Sequence, residues 1–182
     1  MELRRGNSGV DVAFALIECI LSIDLQPEVF DHPTLSRLRR VIGNMVFTAN
    51  VSTPKLSLTK SYQVLTAKGL KDIYSYNKEQ AGGHSANNLI TVIMEERAIG
   101  LQEAFDVAGQ FFENYVEEFL CCKELLPSWG PEIDEAVSQY VTGLECWVSG
   151  GIEWSFSGPR YFGDSVEEVR RTRRVALAER AA

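Results

Sequence analysis

Histidine is scarce in this 182-residue chain: only His32 and His84 occur. The four cysteines, Cys19, Cys121, Cys122 and Cys146, contain no Cys-x-x-Cys pair. Structural zinc needs clustered thiolate and imidazole ligands at short spacing, so the composition argues against a zinc site. The cysteines read instead as reduced core residues of an intracellular, cytoplasmic protein. A basic excess is also lacking, because 18 Lys and Arg face 25 Asp and Glu for a net charge of -7. A nucleic-acid binder needs a basic face, and the one cluster here, Arg170, Arg171, Arg173 and Arg174, follows Glu167 and Glu168 like a solvated helix end. No apolar run reaches the length that spans a bilayer. No apolar core follows Met1-Glu-Leu-Arg-Arg to make a secretory signal. Alternating polar and apolar residues are missing too, which removes strands from the expectation.

What is present is helical periodicity. Apolar positions predict a helix over 10–21, a second over 33–50 with Pro33 in its first turn, and another over 72–80. Gly82-Gly83-His84-Ser85 breaks that pattern, and helix resumes over 87–97. A long amphipathic helix is expected over 101–126, with Ala104, Val107, Ala108, Phe111, Phe112, Tyr115, Val116, Phe119 and Cys122 as its stripe. Pro127 to Pro131 ends it, and a last long helix covers 132–156, with Gly150-Gly151 expected to loosen it. Arg160 and Tyr161 follow in a loop, and 164–182 reads as a charged helix or tail. The fold class is therefore all-α, in one incomplete helical bundle.

Residues 51–71 depart from the rest. They hold Lys55, Lys60, Lys68 and Lys71, no acid, and no 3.6-residue period, which reads as an insert. Directly after it comes Asp72-Ile-Tyr-Ser75-Tyr-Asn-Lys78-Glu79-Gln80. Ser75 and Glu79 stand four apart, so a helix puts both oxygens on one face. Hard cations take such oxygen ligands and share them with phosphates, although a surface helix offers the same pair with no function.

This stretch resembles the second metal-binding motif of class I terpene synthases, Asn-Asp-x-x-Ser-x-x-x-Glu. Lys71 stands where that motif has Asn, and an ammonium cannot ligate a cation. Joining Asn50 to Asp72 restores the motif as Asn-Asp-Ile-Tyr-Ser-Tyr-Asn-Lys-Glu. Residues 51–71 are thus expected to be a retained intron or a late insertion. Val51-Ser52 can be encoded from a GT donor, and the Lys71 codon can end in the AG acceptor.

Further matches resemble the fungal, mushroom-type sesquiterpene synthases. They are Asn88-Leu-Ile-Thr-Val-Ile-Met, Leu126-Pro-Ser-Trp-Gly-Pro-Glu-Ile-Asp134, Arg5 with Ser8 and Gly9, and Arg160-Tyr161. The resemblance implies that Asn50, Ser75 and Glu79 hold Mg²⁺. It implies that Arg5, Lys78, Arg160 and Tyr161 contact the diphosphate of an isoprenyl substrate, farnesyl diphosphate by family. It implies ionisation and cyclisation with loss of diphosphate. Taken singly, Arg5 and Lys78 read as solvated residues and Arg160-Tyr161 as a polar loop pair. Trp147, Trp154 and Phe156 are expected to pack in the core rather than line a cavity. No role falls to His84.

The family's aspartate-rich motif, Asp-Asp-x-x-Asp, is absent from the sequence. The chain therefore reads as a C-terminal half, expected to be inactive and prone to expose apolar faces. A degenerate, non-catalytic relative remains the alternative.

Overall fold

A computed structural model describes residues 10–46 and 70–179. Arg5, Asn50 and the predicted insert up to residue 69 lie outside the described residues. No strand occurs among the described residues, and no described helix is long and apolar enough to cross a membrane.

The elements are α1 (Val10–Leu21), α2 (Pro27–Phe30), α3 (Pro33–Val46), α4 (Leu70–Ala81), α5 (Leu89–Arg97), α6 (Leu101–Glu124), α7 (Pro131–Ser157), α8 (Pro159–Phe162) and α9 (Val166–Thr172), with single 3₁₀ turns at Ser85–Asn87 and Gly163–Ser165. The pattern over 72–80 thus starts two residues earlier, so Leu70 and Lys71 are already helical. Helix α4 stops at Ala81 because Gly83 adopts φ +73 and the His84 N–H turns back to the Glu79 carbonyl at 2.8 Å. Helix α7 starts at Pro131, whose lost N–H costs nothing in a first turn. It runs unbroken through Gly150-Gly151, where loosening was expected. Its far end is held by aromatic packing: Phe156 stacks on Phe162 of α8 at 4.9 Å.

Two apolar clusters form the interior. Leu35, Leu38, Val41 and Ile42 of α3 pack with Tyr115 and Phe119 of α6 and with Val137, Tyr140, Val141 and Leu144 of α7. Tyr76 of α4 packs with Leu89, Ile90 and Ile93 of α5 and with Ala104 and Ala108 of α6. Phe111 touches both clusters from the middle of α6, which makes that helix the spine of the molecule. Helix α1 crosses α7 closely at Gly143, where an added Cβ would lie 2.5 Å from Ile17 Cγ2.

Several expectations need correction. Only Cys122 is buried, while Cys19, Cys121 and Cys146 are exposed free thiols. They occupy helix faces turned to solvent. Trp154 is 59% exposed, because its ring lies on the outer side of α7, whereas Trp147 meets Phe14 edge-on at 5.5 Å. Arg160 and Tyr161 belong to a short helix rather than a loop. Past α9, residues 173–179 run without helix after Arg173 turns left-handed at φ +58.

Candidate functional site

Helix α4 organises the site. Asp72 is buried in its first turn, and its Oδ2 accepts the Leu89 N–H at 2.8 Å, joining α4 to the start of α5. Asn88 caps α5: its Oδ1 accepts the Ile90 N–H at 2.9 Å. The Asn88 side-chain amide donates to the Asp72 carbonyl at 2.9 Å and to Glu79 Oε2 at 3.0 Å. The angle between α4 and α5 is thus set by polar contacts at the same place as the predicted ligands.

Ser75 is only 4% exposed, and its Oγ has no hydrogen-bond partner among the described residues. Leaving a hydroxyl in this state costs free energy, which an incoming cation would recover. Glu79, one turn on, is half-buried and engages Asn88 through one carboxylate oxygen, Oε2. Ser75 Oγ with Glu79 is a hard-oxygen pair on one helix face, a donor set that fits a divalent cation. No group of three or more His, Cys, Asp and Glu side chains suited to a metal occurs among the described residues. Lys78 is exposed on the same helix. The third predicted ligand, Asn50, and the predicted diphosphate contact Arg5 lie outside the described residues.

The structure brings Arg160-Tyr161 to this helix. Tyr74 of α4 meets Phe156 at 5.4 Å, Phe162 at 5.8 Å and Tyr161 at 6.3 Å. Burial raises the Tyr74 phenol above its usual range, partly offset by the charge of Arg173. Tyr161 is buried in this aromatic cluster. Arg160 is exposed, with its guanidinium carbon 5.7 Å from the Trp154 ring and 5.6 Å from the Tyr161 ring. Edge and face contacts of this kind steer a cation without burying it. Two predicted groups, the Ser75–Glu79 pair and Arg160-Tyr161, therefore share one end of the bundle, 85 positions apart in the chain from Ser75 to Arg160.

The C-terminal segment also reaches α4. Asn77 Nδ2 donates to the Ala176 carbonyl at 2.9 Å, and its Oδ1 accepts the Ala178 N–H at 2.8 Å. Gln80 Nε2 donates to the Ala178 carbonyl at 2.7 Å. Sequence reasoning assigned no role to Asp72, Asn77, Gln80 or Asn88. For Asn88 a signal existed, since Asn directly before an apolar run marks a helix cap.

The family described as terpene synthase family 2, C-terminal metal binding, matches residues 1–118. Arg160-Tyr161 lies beyond that match. An alpha-muurolene synthase of Coprinopsis cinerea is 37% identical over 177 residues, covering 97% of this chain and 36% of that protein. Sesquiterpene synthase 3 of Postia placenta is 40% identical, covering 97% of this chain and 42% of its own length. Sesquiterpene synthase 1 of the same fungus is 36% identical, covering 99% of this chain and 47% of its own length. This chain thus spans less than half the length of each of these relatives. Among solved structures, a variant cucumene synthase superposes with TM-score 0.59 at 24% identity, covering 85% of this chain and 45% of the other. That likeness speaks for the fold alone, an all-α terpene synthase bundle. The family match over most of the chain and the identities of the fungal relatives place this chain in terpene synthase family 2, by its C-terminal metal-binding region.

Proposed function

We propose that this chain carries the second metal motif and diphosphate-contact groups of a fungal sesquiterpene synthase, and that the 182 residues as they stand do not turn over substrate. The observation that carries the first part is the buried Ser75 Oγ, without a hydrogen-bond partner among the described residues and one helical turn from Glu79, with Arg160-Tyr161 packed against the same helix. Ser75, Glu79 and, across the insert, Asn50 would hold Mg²⁺, and Arg5, Lys78, Arg160 and Tyr161 would bind the diphosphate of farnesyl diphosphate. When bound, Mg²⁺ supplies Lewis-acid stabilisation of the departing diphosphate oxygens. The chain's own part is to orient that leaving group. Lys78 and Arg160 present positive charge to it, and Tyr161, anchored among Tyr74, Trp154 and Phe162, offers a hydroxyl at a fixed place.

Two features support the inactivity. Asn50 and Ser75 stand 25 positions apart, against four in the uninterrupted motif, and no aspartate-rich motif occurs in the sequence. The same features favour the second reading, a non-catalytic relative. Fusing the upstream part of Postia placenta sesquiterpene synthase 3 to this chain with residues 51–71 deleted tests both. With farnesyl diphosphate and Mg²⁺, gas chromatography should then detect sesquiterpene volatiles, and Glu79→Gln should abolish them. A folded fusion that releases no diphosphate favours the non-catalytic reading. Turnover by the unaltered chain refutes the proposed inactivity. Transcripts from which 51–71 is consistently absent would identify that segment as an intron.

A further inference from the structure

Asn88 is a fully engaged polar side chain beside α4. It is 1% exposed, and each hydrogen-bonding group of its amide is used. The two donors go to the Asp72 carbonyl and Glu79 Oε2, and the acceptor takes the Ile90 N–H. The opposite orientation would set a carbonyl oxygen against two acceptors, so the network itself fixes which end donates. A cap needs only the oxygen, which Ser or Asp supplies equally well. The amide nitrogen is what this position adds, and one of its two bonds ends on a predicted metal ligand.

We infer that Asn88 is a positioning residue for Glu79: its amide nitrogen holds the carboxylate through Oε2 and leaves Oε1 to the cation. The inference rests on the reading of Glu79 as a ligand and goes beyond it. Glutamate has three side-chain torsions, and a half-buried carboxylate left alone would sample several of them. A neutral donor orients it without competing for the cation, as outer partners of ligating side chains do. Because the same amide bonds the Asp72 carbonyl in the first turn of α4, Glu79 is held relative to both ends of the helix and to the start of α5.

The test uses Mn²⁺ with inorganic diphosphate, read by electron paramagnetic resonance on the whole chain well below each variant's Tm. Asn88→Ser keeps a capping oxygen and loses the reach to Glu79. It should weaken Mn²⁺ binding about tenfold to a hundredfold, the usual effect of removing an outer partner. Ile93→Val, which trims the buried face of the same helix, should lower Tm and leave Mn²⁺ binding unchanged. Wild-type affinity in Asn88→Ser, alongside weakened binding in Glu79→Gln, overturns the positioning role alone. Equal binding by wild type and Glu79→Gln removes Glu79 as a ligand, and both readings fall. If Asn88→Ser does not fold, the wild-type chain decides by NMR. The Asn88 side-chain amide signal should shift on adding Mg²⁺ and diphosphate and stay fixed in Glu79→Gln, whereas no shift in the wild type overturns the inference.

Discussion

Ser75 and Tyr74 sit side by side on α4, and each places a hydroxyl where water is scarce. For Ser75 the consequence is a trade between stability and binding. Ser75→Ala removes a buried hydroxyl without a hydrogen-bond partner among the described residues and introduces a better helix former. The metal-free chain should gain about 1 kcal/mol, seen as a higher midpoint in urea, while Mn²⁺ binding weakens. An unchanged or lowered midpoint would show that the hydroxyl is satisfied. For Tyr74 the consequence is a pH dependence. Burial raises its folded-state pKa above the ordinary 10.0, so above that pH the unfolded chain releases a proton that the folded chain keeps. Stability from this group is full below pH 10.0 and is lost as pH climbs toward the folded pKa. Alkaline unfolding followed by circular dichroism should therefore shift to higher pH in Tyr74→Phe. Asp134 has the opposite sign. Its carboxylate accepts from Ser128 Oγ at 2.6 Å and from the Trp129 N–H at 2.7 Å, which lowers its pKa below 3.8. Its contribution is present above that value and fades as pH falls through the folded pKa, so Asp134→Asn should flatten the acid limb of stability.

Helix on helix, two contacts decide the arrangement. The first is the crossing of α1 over α7 at Gly143. A methyl there would meet Ile17 Cγ2, so Gly143→Ala should cost about 1–3 kcal/mol despite the better helix propensity of alanine, measured by urea titration. The second is the run of residues 173–179 against α4. Asn77 offers both a donor and an acceptor to this backbone, as a neighbouring strand would. Asn77→Ala should raise the hydrogen-exchange rate of the Ala178 amide while leaving buried amides of α6 protected. Composition around Arg170 to Arg174 pointed to a charged helix or tail. It could not show that the main chain beyond it finds partners about 100 positions earlier, because backbone hydrogen bonding carries no side-chain signature.

At the scale of the whole molecule, one helix face is left uncovered by the described residues. Val12, Leu16 and Ile20 of α1 are 65%, 52% and 77% exposed, on the side opposite Phe14 and its contact with Trp147. Contiguous apolar surface of this kind binds hydrophobic dyes and promotes association. Leu16→Glu with Ile20→Lys should lower dye fluorescence and reduce concentration-dependent association in sedimentation velocity, without disturbing the buried α3–α6–α7 cluster. Unchanged association would place the sticky surface elsewhere. The longer helices were legible, since a 3.6-residue period is written locally, but Val116, expected on the stripe of α6, is 36% exposed, and α8 was read as a loop. Cysteine burial and the exposure of Trp154 were not legible, because which face of a helix meets a neighbour depends on how many neighbours it has.

For the candidate site the division is similar. Ser75 and Glu79 share a face by helix geometry alone, and Lys78 follows by position, so these residues could be named from spacing and motif resemblance. Their burial, the closeness of Arg160-Tyr161 to Tyr74, and the grip of Asn88 on Glu79 required the fold. Each depends on the angles at which α5 and α8 meet α4, and those angles come from the hydrogen bonds of Asp72 and Asn88 together with the packing of Tyr76 with Ile90, and from the packing of Tyr74 with Phe162. The sequence by itself determined the longer helices and the placing of Ser75 and Glu79, the candidate oxygen ligands, at helical spacing. Only the tertiary structure decided which polar atoms were sealed from water, because desolvation is a property of what surrounds a group rather than of the group.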